Sequence, residues 1–456
     1  MRVCRSETIR DVVVVAWATL PTALVSAQVA PSSAAAPRPE ITACHLVPAA
    51  ELHAGGGVRL GGLSDLFMIG SNADGIVTWT LTDRGPNGAI GKGSTKQRTL
   101  LAPDFAPALV RLRIPVGGEA GEARIETVVP MTGRSGKSMT GRPNGVGRDE
   151  PIIDAASGEP LPADHNGIDP EGLVVLPDGS FWVSEEYRPS LLRISAEGRV
   201  SERHVPAGMS LPRADAQVID DLPAVYGNRR DNRGFEGLAL SPDATRLSVL
   251  LQSPLDHPQK GAATQTGNVR LLVVDAGSGR PVAEHVYRLG DPADPAWASV
   301  GAAPDDGKLC GLAALADGAL LVLEQADGSL ARLYRVDPTA ATDTLPRTLA
   351  ADAEPLETIA DLRAVGIEPL PKVLVADLAP LLPRIRSDIG LPPGTAVKLE
   401  GLAVLDERRV LFVNDNDFGV MADPHGPPPR SCLWVVTLPA VLTGGEPSQS
   451  SDTLDK

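Results

Sequence analysis

The sequence predicts an all-β fold: a closed β-propeller of six blades with short helical or loop insertions. Three observations carry that expectation. One strand–turn–strand unit recurs five times between residues 59 and 415. Gly and Pro number 46 and 42 of 456 residues without a collagen-like period, the punctuation of many short strands joined by turns. Apolar residues make up 43%, enough for a large buried core in a chain too long for one small domain.

From the N-terminus, Arg2, Arg5 and Arg10 precede an apolar run over residues 12–25, and Val25-Ser26-Ala27 offers small residues for cleavage. This layout predicts a signal peptide over residues 1–27 and an exported protein, periplasmic or secreted. The run is shorter than the roughly 20 residues of a spanning helix, and no later stretch is longer, so no stable membrane span is expected after cleavage. Residues 28–42 read as a low-complexity linker and 441–456 as a disordered polar tail. Cleavage would remove Cys4 and leave Cys44, Cys310 and Cys432. If the two ends of the mature chain meet in one closing blade, Cys44 and Cys432 are the pair placed to form a disulfide.

The repeat reads apolar-Glu-Gly-Leu, a short apolar run, a turn with Asp or Gly, a second apolar run, then a polar residue. Its clearest copy is Asp169-Pro170-Glu171-Gly172-Leu173, the turn Pro177-Asp178-Gly179, and Phe181-Trp182-Val183-Ser184-Glu185. Further copies begin Gly234-Phe235-Glu236-Gly237-Leu238, Lys308-Leu309-Cys310-Gly311-Leu312 and Lys398-Leu399-Glu400-Gly401-Leu402; a looser first copy is Arg59-Leu60-Gly61-Gly62-Leu63. Each unit is a hairpin that cannot bury both faces alone, so neighbours must stack. Third strands follow at residues 191–194 and 330–336. The repeat glycines are unevenly spaced, and strands near 108–114 and 124–129 are assigned to a sixth, diverged blade. A pair of stacked sandwiches is the rival architecture. Residues 374–385 read as a short helical insertion, with Pro380 and Pro383 against a long helix.

Stacking the copies yields two columns of polar residues. Gly61, Glu171, Glu236, Cys310 and Glu400 precede the repeat glycine; Asp83, Glu185, Gln252, Glu324 and Asp415 end the second strand. Equivalent positions on inner strands converge on a propeller axis, where several carboxylates repel unless a cation lies between them or some are protonated. Glu171, Glu236, Glu400, Asp415, Glu185 and Asp83 are therefore the candidate metal ligands. Oxygen donors without His or Cys clusters favour Ca²⁺, with Mg²⁺ or Mn²⁺ next. Arg84, Arg233 and His165 are the candidate catalytic residues: the arginines to steady developing negative charge, and His165 as the histidine nearest the columns. Cys310 stands where other copies have Glu, and its simplest reading is a small buried apolar residue. The net charge of −15 argues against nucleic acid as a partner. No nucleophile elbow, His-Glu-x-x-His, phosphate loop or two-Cys zinc spacing is present.

Several segments resemble the phytase-like family known as "esterase-like activity of phytase": residues 81–85, 169–172, 182–191, 232–240 and 398–419. The most specific are Ser184-Glu185-Glu186-Tyr187-Arg188-Pro189-Ser190 and Asn414-Asp415-Asn416-Asp417-Phe418-Gly419. The Glu-Gly-Leu element alone is shared with gluconolactonase-like propellers. The resemblance spans about residues 55–440, and the phytase-like propeller domain is set at residues 43–440. The resemblance implies an exported propeller that hydrolyses a phosphoester or ester; joined to the carboxylate columns, the expectation is a monomeric, metal-dependent hydrolase of a phosphoester or ester small molecule in a central funnel. A lactonase-type propeller enzyme and a non-enzymatic binding scaffold with a structural cation are the alternatives.

Overall fold

The computed structural model describes residues 38–52, 57–91, 96–116, 120–145, 151–290, 297, 307–326, 328–350, 352–420 and 427–442. The leader at 1–27, linker residues 28–37 and the tail from 443 lie outside them.

The chain is all-β with short helices between strands. Five sheets of four or five strands follow one another, each beginning with a repeat unit. The first holds Phe67–Asn72, Gly75–Leu81, Ala108–Ile114 and Arg124–Pro130. The second holds Pro170–Val175, Phe181–Glu185, Ser190–Ile194, Val200–Pro206 and Gln217–Leu222. The third holds Phe235–Leu240, Arg246–Leu251, Asn268–Asp275 and Pro281–Arg288. The fourth holds Lys308–Ala314, Leu320–Ala326, Leu330–Val336 and Lys372–Asp377. The fifth joins both ends of the described chain: Leu399–Val404, Arg409–Asn414 and Cys432–Thr437, then Glu40–Leu46 and the short Ala120–Glu122.

The order of packing explains why five hairpins need one another. Inside the second strand of each sheet, alternate residues feed opposite interfaces. Phe181 and Val183 pack toward the first sheet while Trp182 packs toward the third. Leu321 and Leu323 join Phe412 and Trp434 of the fifth sheet, whereas Leu320 and Val322 join Leu247 and Leu250 of the third. Leu411 and Val413 close the series against Val110 and Leu112 of the first. The first strands also touch in sequence, and Phe67–Asn72 contacts both Pro170–Val175 and Leu399–Val404.

The repeat glycine is what permits this approach. A Cβ on Gly237 would lie 2.8 Å from Leu312 N, on Gly311 2.9 Å from Leu402 Cβ, and on Gly401 2.8 Å from the Asp65 carbonyl carbon. A Cβ on Gly172 would likewise lie 2.9 Å from Leu238 N. Real Cβ atoms essentially never approach below 3.0 Å, so an alanine at any of these positions must push the next first strand away.

Several expectations change. Ala108–Ile114 and Arg124–Pro130 are not a sixth blade: Ala108–Ile114 pairs with Gly75–Leu81 and Arg124–Pro130 with Ala108–Ile114, as third and fourth strands of the first sheet. The insertion between Leu81 and Ala108 had hidden that pairing, and part of it forms a three-stranded sheet of Asn87–Ile90, Gln97–Leu100 and Ile152–Asp154. Residues 372–377 form an edge strand, and the helix starts only at Leu382, with Pro383 in its first turn where no amide is needed. The strand Glu40–Leu46 begins inside the expected linker because its partner Cys432–Thr437 orders it. The two ends do meet in one sheet, but Cys44 and Cys432 are free thiols there, as is Cys310.

Candidate metal centre

In four sheets the residue before the repeat glycine falls at an irregularity of the hairpin ladder. Pairing shifts between Pro170 and Gly172, between Phe235 and Leu238, between Leu309 and Gly311, and between Leu399 and Gly401. An extra residue in one strand re-aims its side chain, and here it turns Glu171, Glu236, Cys310 and Glu400 out of the alternating pattern. The backbone amide after the second strand then donates to the carbonyl two residues before that position. Glu186 donates to Asp169 at 3.0 Å, Gln252 to Gly234 at 2.9 Å, and Asp415 to Lys398 at 3.2 Å.

The same rule corrects the first copy. Asp83 N donates to Gly62 O at 2.8 Å and Leu63 bridges Thr82, which puts Ser64, not Gly61, in the ring and Asp65 in place of the glycine. Asp65 is buried and joins adjacent first strands, accepting from Leu66 N and Leu173 N, both at 2.8 Å. Burial pushes its carboxyl well above the usual range, against those backbone donors. Gly61 and Gly62 instead receive the loop after the fifth sheet's second strand: Gly62 N donates to Asn416 Oδ1 at 3.1 Å, and Phe418 packs over both.

The second column splits in two for the same reason. A one-residue step along a strand exchanges its faces. Glu185 is fully buried behind Asp169, whose amide lies 3.5 Å from its Oε2, with Arg203 Nη2 at 2.7 Å, Tyr187 N at 2.9 Å and the Ser190 hydroxyl on its carboxylate. Glu324 is held through Oε1 by Lys372 Nζ at 2.6 Å and the Tyr287 hydroxyl at 2.5 Å, while its Oε2 is buried with no partner among the described residues. Their neighbours Glu186 and Gln325 take the places beside Asp83, Gln252 and Asp415. Glu186 and Asp169, neither counted among the ligands from sequence, form with Glu171 a group whose carboxylate oxygens lie within 4.8 Å of one another. Glu236, Cys310 and Glu400 form a second group at the same spacing.

The two groups belong to one electrostatic unit. Burial raises Glu171 well above its ordinary value, and Glu236, Asp169, Glu186 and Asp83 raise it further. Burial does the same to Glu236, reinforced by Glu186 and Glu400. Asp83 is raised by burial and by Asp415 and Asp169. Glu400 is pushed up to about 7 by burial and Asp415 despite Lys308, and Asp169 to about 7 by burial despite Arg84. Carboxyls from every sheet except the fourth thus repel one another across a shared space, and Cys310 is the fourth sheet's contribution. Glu186 Oε1 and Glu236 Oε2 are buried with no hydrogen-bond partner among the described residues.

Cations border the group. Arg84 is nearly buried; its guanidinium pairs with Asp169, donates to Glu186 Oε2 at 3.2 Å and to Asn232 Oδ1, and lies 5.1 Å from the centre of the Tyr187 ring. Burial opposes its charge, but Asp169, Tyr187, Glu186 and Asp83 outweigh that and hold it charged. Lys398 pairs with Asp415 at 3.0 Å and with Asp417. Arg233 donates to Gly307 O at 3.0 Å, and burial together with Arg230 lowers it from the ordinary guanidinium value. Arg84, Arg98, Arg229, Tyr187 and Asn232 line a small open recess of about 10 Å³. His165 does not join them: its ring accepts from Arg213 N at 3.1 Å, and burial and Arg213 lower its basicity.

The chain is 33% identical over 134 residues to an uncharacterized secreted protein of Arthroderma benhamiae, a match spanning 26% of each chain. Among solved structures it is similar to regucalcin, a calcium-binding protein of Agrobacterium tumefaciens. That match has 13% identity, covers 80% of this chain and 93% of the other, and has a TM-score of 0.29. It is also similar to a gluconolactonase of Xanthomonas campestris, at 12% identity over 84% and 98% of the two chains and a TM-score of 0.29. The family model for phytase-like proteins, described as esterase-like activity of phytase, matches residues 58–418, and the chain belongs to that family.

Proposed function

We propose that the protein is an exported, monomeric hydrolase of phosphoester or ester small molecules, dependent on a divalent cation held where its sheets converge. The five sheets are read as blades of a five-bladed propeller, with Glu40–Leu46 closing the ring. Export, to the periplasm or the medium, rests on the leader pattern and on the secreted relative. Among the described residues no helix is long and apolar enough to cross a membrane.

The observation that carries the reading is the pair of buried, unpartnered oxygens, Glu186 Oε1 and Glu236 Oε2, inside a group of mutually repelling carboxyls. Asp169, Glu171 and Glu186 would hold the ion, with Asp83 and Asp415 beside them and Glu236 and Glu400 across the site. These are hard oxygen donors, a set that fits Ca²⁺ first and Mg²⁺ or Mn²⁺ next. Bound there, the cation supplies neutralisation of the clustered charge and polarisation of a scissile carbonyl or phosphoryl oxygen. Arg84 fixes Asp169 and Glu186 from behind and lines the recess, so the anionic part of a substrate meets Arg84, Arg98 and Arg229 beside the carboxylates. Arg233 adds positive charge on the Glu236 side. Glu185 and His165 serve structural roles in this reading.

Metal analysis of the purified protein, then phosphomonoester, carboxylic ester and lactone panels with and without chelator, tests it. Chelator-sensitive turnover of phosphoesters or esters that is lost in Glu171→Gln plus Glu236→Gln is expected. Turnover unchanged in that double variant overturns the ligand assignment, and turnover of lactones alone moves the substrate to a cyclic ester.

A further inference from the structure

We infer that Glu236, Cys310 and Glu400 form a second cation site, selective for a borderline ion of the Zn²⁺ class rather than for Ca²⁺. The inference rests on the cation reading above and adds to it a thiolate position of different ion preference. One ligand atom from each of the three residues lies within 4.8 Å of the others, and they come from three successive sheets. Cys310 occupies the irregularity of the fourth sheet and is 2% exposed, so its sulfur meets the two carboxylates rather than solvent.

A second observation points to a ligand. Glu236 is 2% exposed, its Oε2 has no partner among the described residues, and Gln252 Nε2 already occupies its other oxygen. The Gln252 carboxamide, itself 5% exposed, also leaves its Oε1 without a partner there. Two acceptors of one hydrogen-bonded pair are thus buried with nothing to accept among the described residues, an arrangement that costs free energy unless something electropositive completes it. Lys308 acts electrostatically on Glu236, Cys310 and Glu400 alike. With the thiol deprotonated, two carboxylates, one thiolate and one lysine leave a net charge matched by one dication.

The donor set decides the ion. Ca²⁺ takes six to eight oxygens and gains nothing from sulfur, whereas a soft thiolate selects Zn²⁺ among the ions that also accept carboxylates. Three protein ligands leave one tetrahedral position open, as in zinc sites that bind a further ligand. The competing view, Cys310 as a small apolar filler, leaves the unpartnered acceptors unexplained.

Chelator-stripped full-length protein titrated with Co²⁺, followed by near-ultraviolet absorbance and direct metal analysis, tests the site. A variant with Cys4, Cys44 and Cys432 all changed to Ser keeps Cys310 as the sulfur source. A thiolate-to-cobalt charge-transfer band that Zn²⁺ displaces is expected, with loss of the band in Cys310→Ser. Zn²⁺ affinity should fall by at least about tenfold, the loss that outer partners alone cause. Cys310→Ala, an apolar replacement, gives the same readout should the Ser variant fold poorly. Bound Co²⁺ without the band, or a band surviving both substitutions, overturns the inference. Ca²⁺ binding that persists in either case leaves the hydrolase reading standing, whereas failure to bind Ca²⁺, Mg²⁺, Mn²⁺ and Co²⁺ alike removes both.

Discussion

Replacing Gly237 by Ala should destabilise the protein far more than a methyl group ordinarily does, and should weaken the site as well. The Cβ would lie 2.6 Å from Leu312 Cβ and 2.8 Å from Leu312 N, where ordinary contact begins at 3.4 Å. The third and fourth sheets must therefore separate by more than half an ångström at their innermost strands. Those strands are already gripped on their far sides, through Gly172 against Leu238 and Gly311 against Leu402, so the displacement has nowhere to dissipate. Overpacking of this kind costs about 1–3 kcal/mol, and a closed set of contacts argues for about 3 kcal/mol. The control is Gly277→Ala, a turn position where the nearest atom to the new Cβ is at 3.4 Å. Gly277→Ala should be neutral or stabilise by up to about 1 kcal/mol. Urea unfolding of the two variants supplies the comparison, and cation titration of the folded Gly237→Ala protein supplies the functional half. Glu236 precedes the substituted residue and Cys310 lies across from it, so affinity should fall with stability. If the two variants unfold within about 0.5 kcal/mol of each other, the first strands are not locked as argued.

Arg203→Ala should cost about 3–5 kcal/mol in urea unfolding, because it strands the Glu185 carboxylate, whose partner is 2.7 Å away in a fully buried pair. Cation affinity of the folded fraction should stay at the wild-type value; a selective loss of affinity would return Glu185 to the ligand set. For pH, Asp169 and Glu400 sit at about 7 against ordinary values of 3.8 and 4.5. Folded values above unfolded ones mean that their contribution to stability is full below about pH 4 and is lost as the pH rises through about 7. A cation reverses that loss and competes with the same protons, so affinity should climb between about pH 6 and 8. The melting-temperature gap between loaded and chelated protein should widen over that range, and a narrowing gap contradicts the assignment. Deleting residues 38–46 bares the Cys432–Thr437 edge, and aggregation on size exclusion is expected; a soluble monomer of unchanged melting temperature argues against a closing role.

What could be read in advance was whatever lies on one hairpin. The four Glu-Gly-Leu or Cys-Gly-Leu copies, their turns and the third strands at 190–194 and 330–336 depend on local pattern, and they stand in the structure. The fate of residues 108–130 depended on pairing across an insertion, which periodicity does not report. The first copy failed because its ring residue, Ser64, and its glycine equivalent, Asp65, have changed identity. A carboxylate bonding the Leu173 amide does there what close backbone approach does in the other sheets. Nothing in the residue types at 61–63 distinguished them from the real copy three positions later.

The candidate site shows the same limit at finer scale. Glu185 and Glu186 are adjacent acids in one motif, and composition treats them alike. The strand that carries Glu185 ends there, so Glu185 follows the alternation into the sheet interface and meets Arg203, while Glu186 follows the turn back toward Asp169. A buried arginine thirteen residues past Ser190 was the available signal, since Arg203 sits mid-strand in Val200–Pro206 and must have an acid opposite it. Pairing every strand-borne Arg or Lys with its acid first would have removed Glu185 through Arg203 and Glu324 through Lys372. The carboxyls left over form no ion pair with a basic residue of their own sheet among the described residues. Of that remainder, Glu171, Glu236, Glu400 and the overlooked Glu186 fall in the groups the structure gathers, which add Asp169 and Cys310, and Glu186 pairs with a cation from another sheet, Arg84.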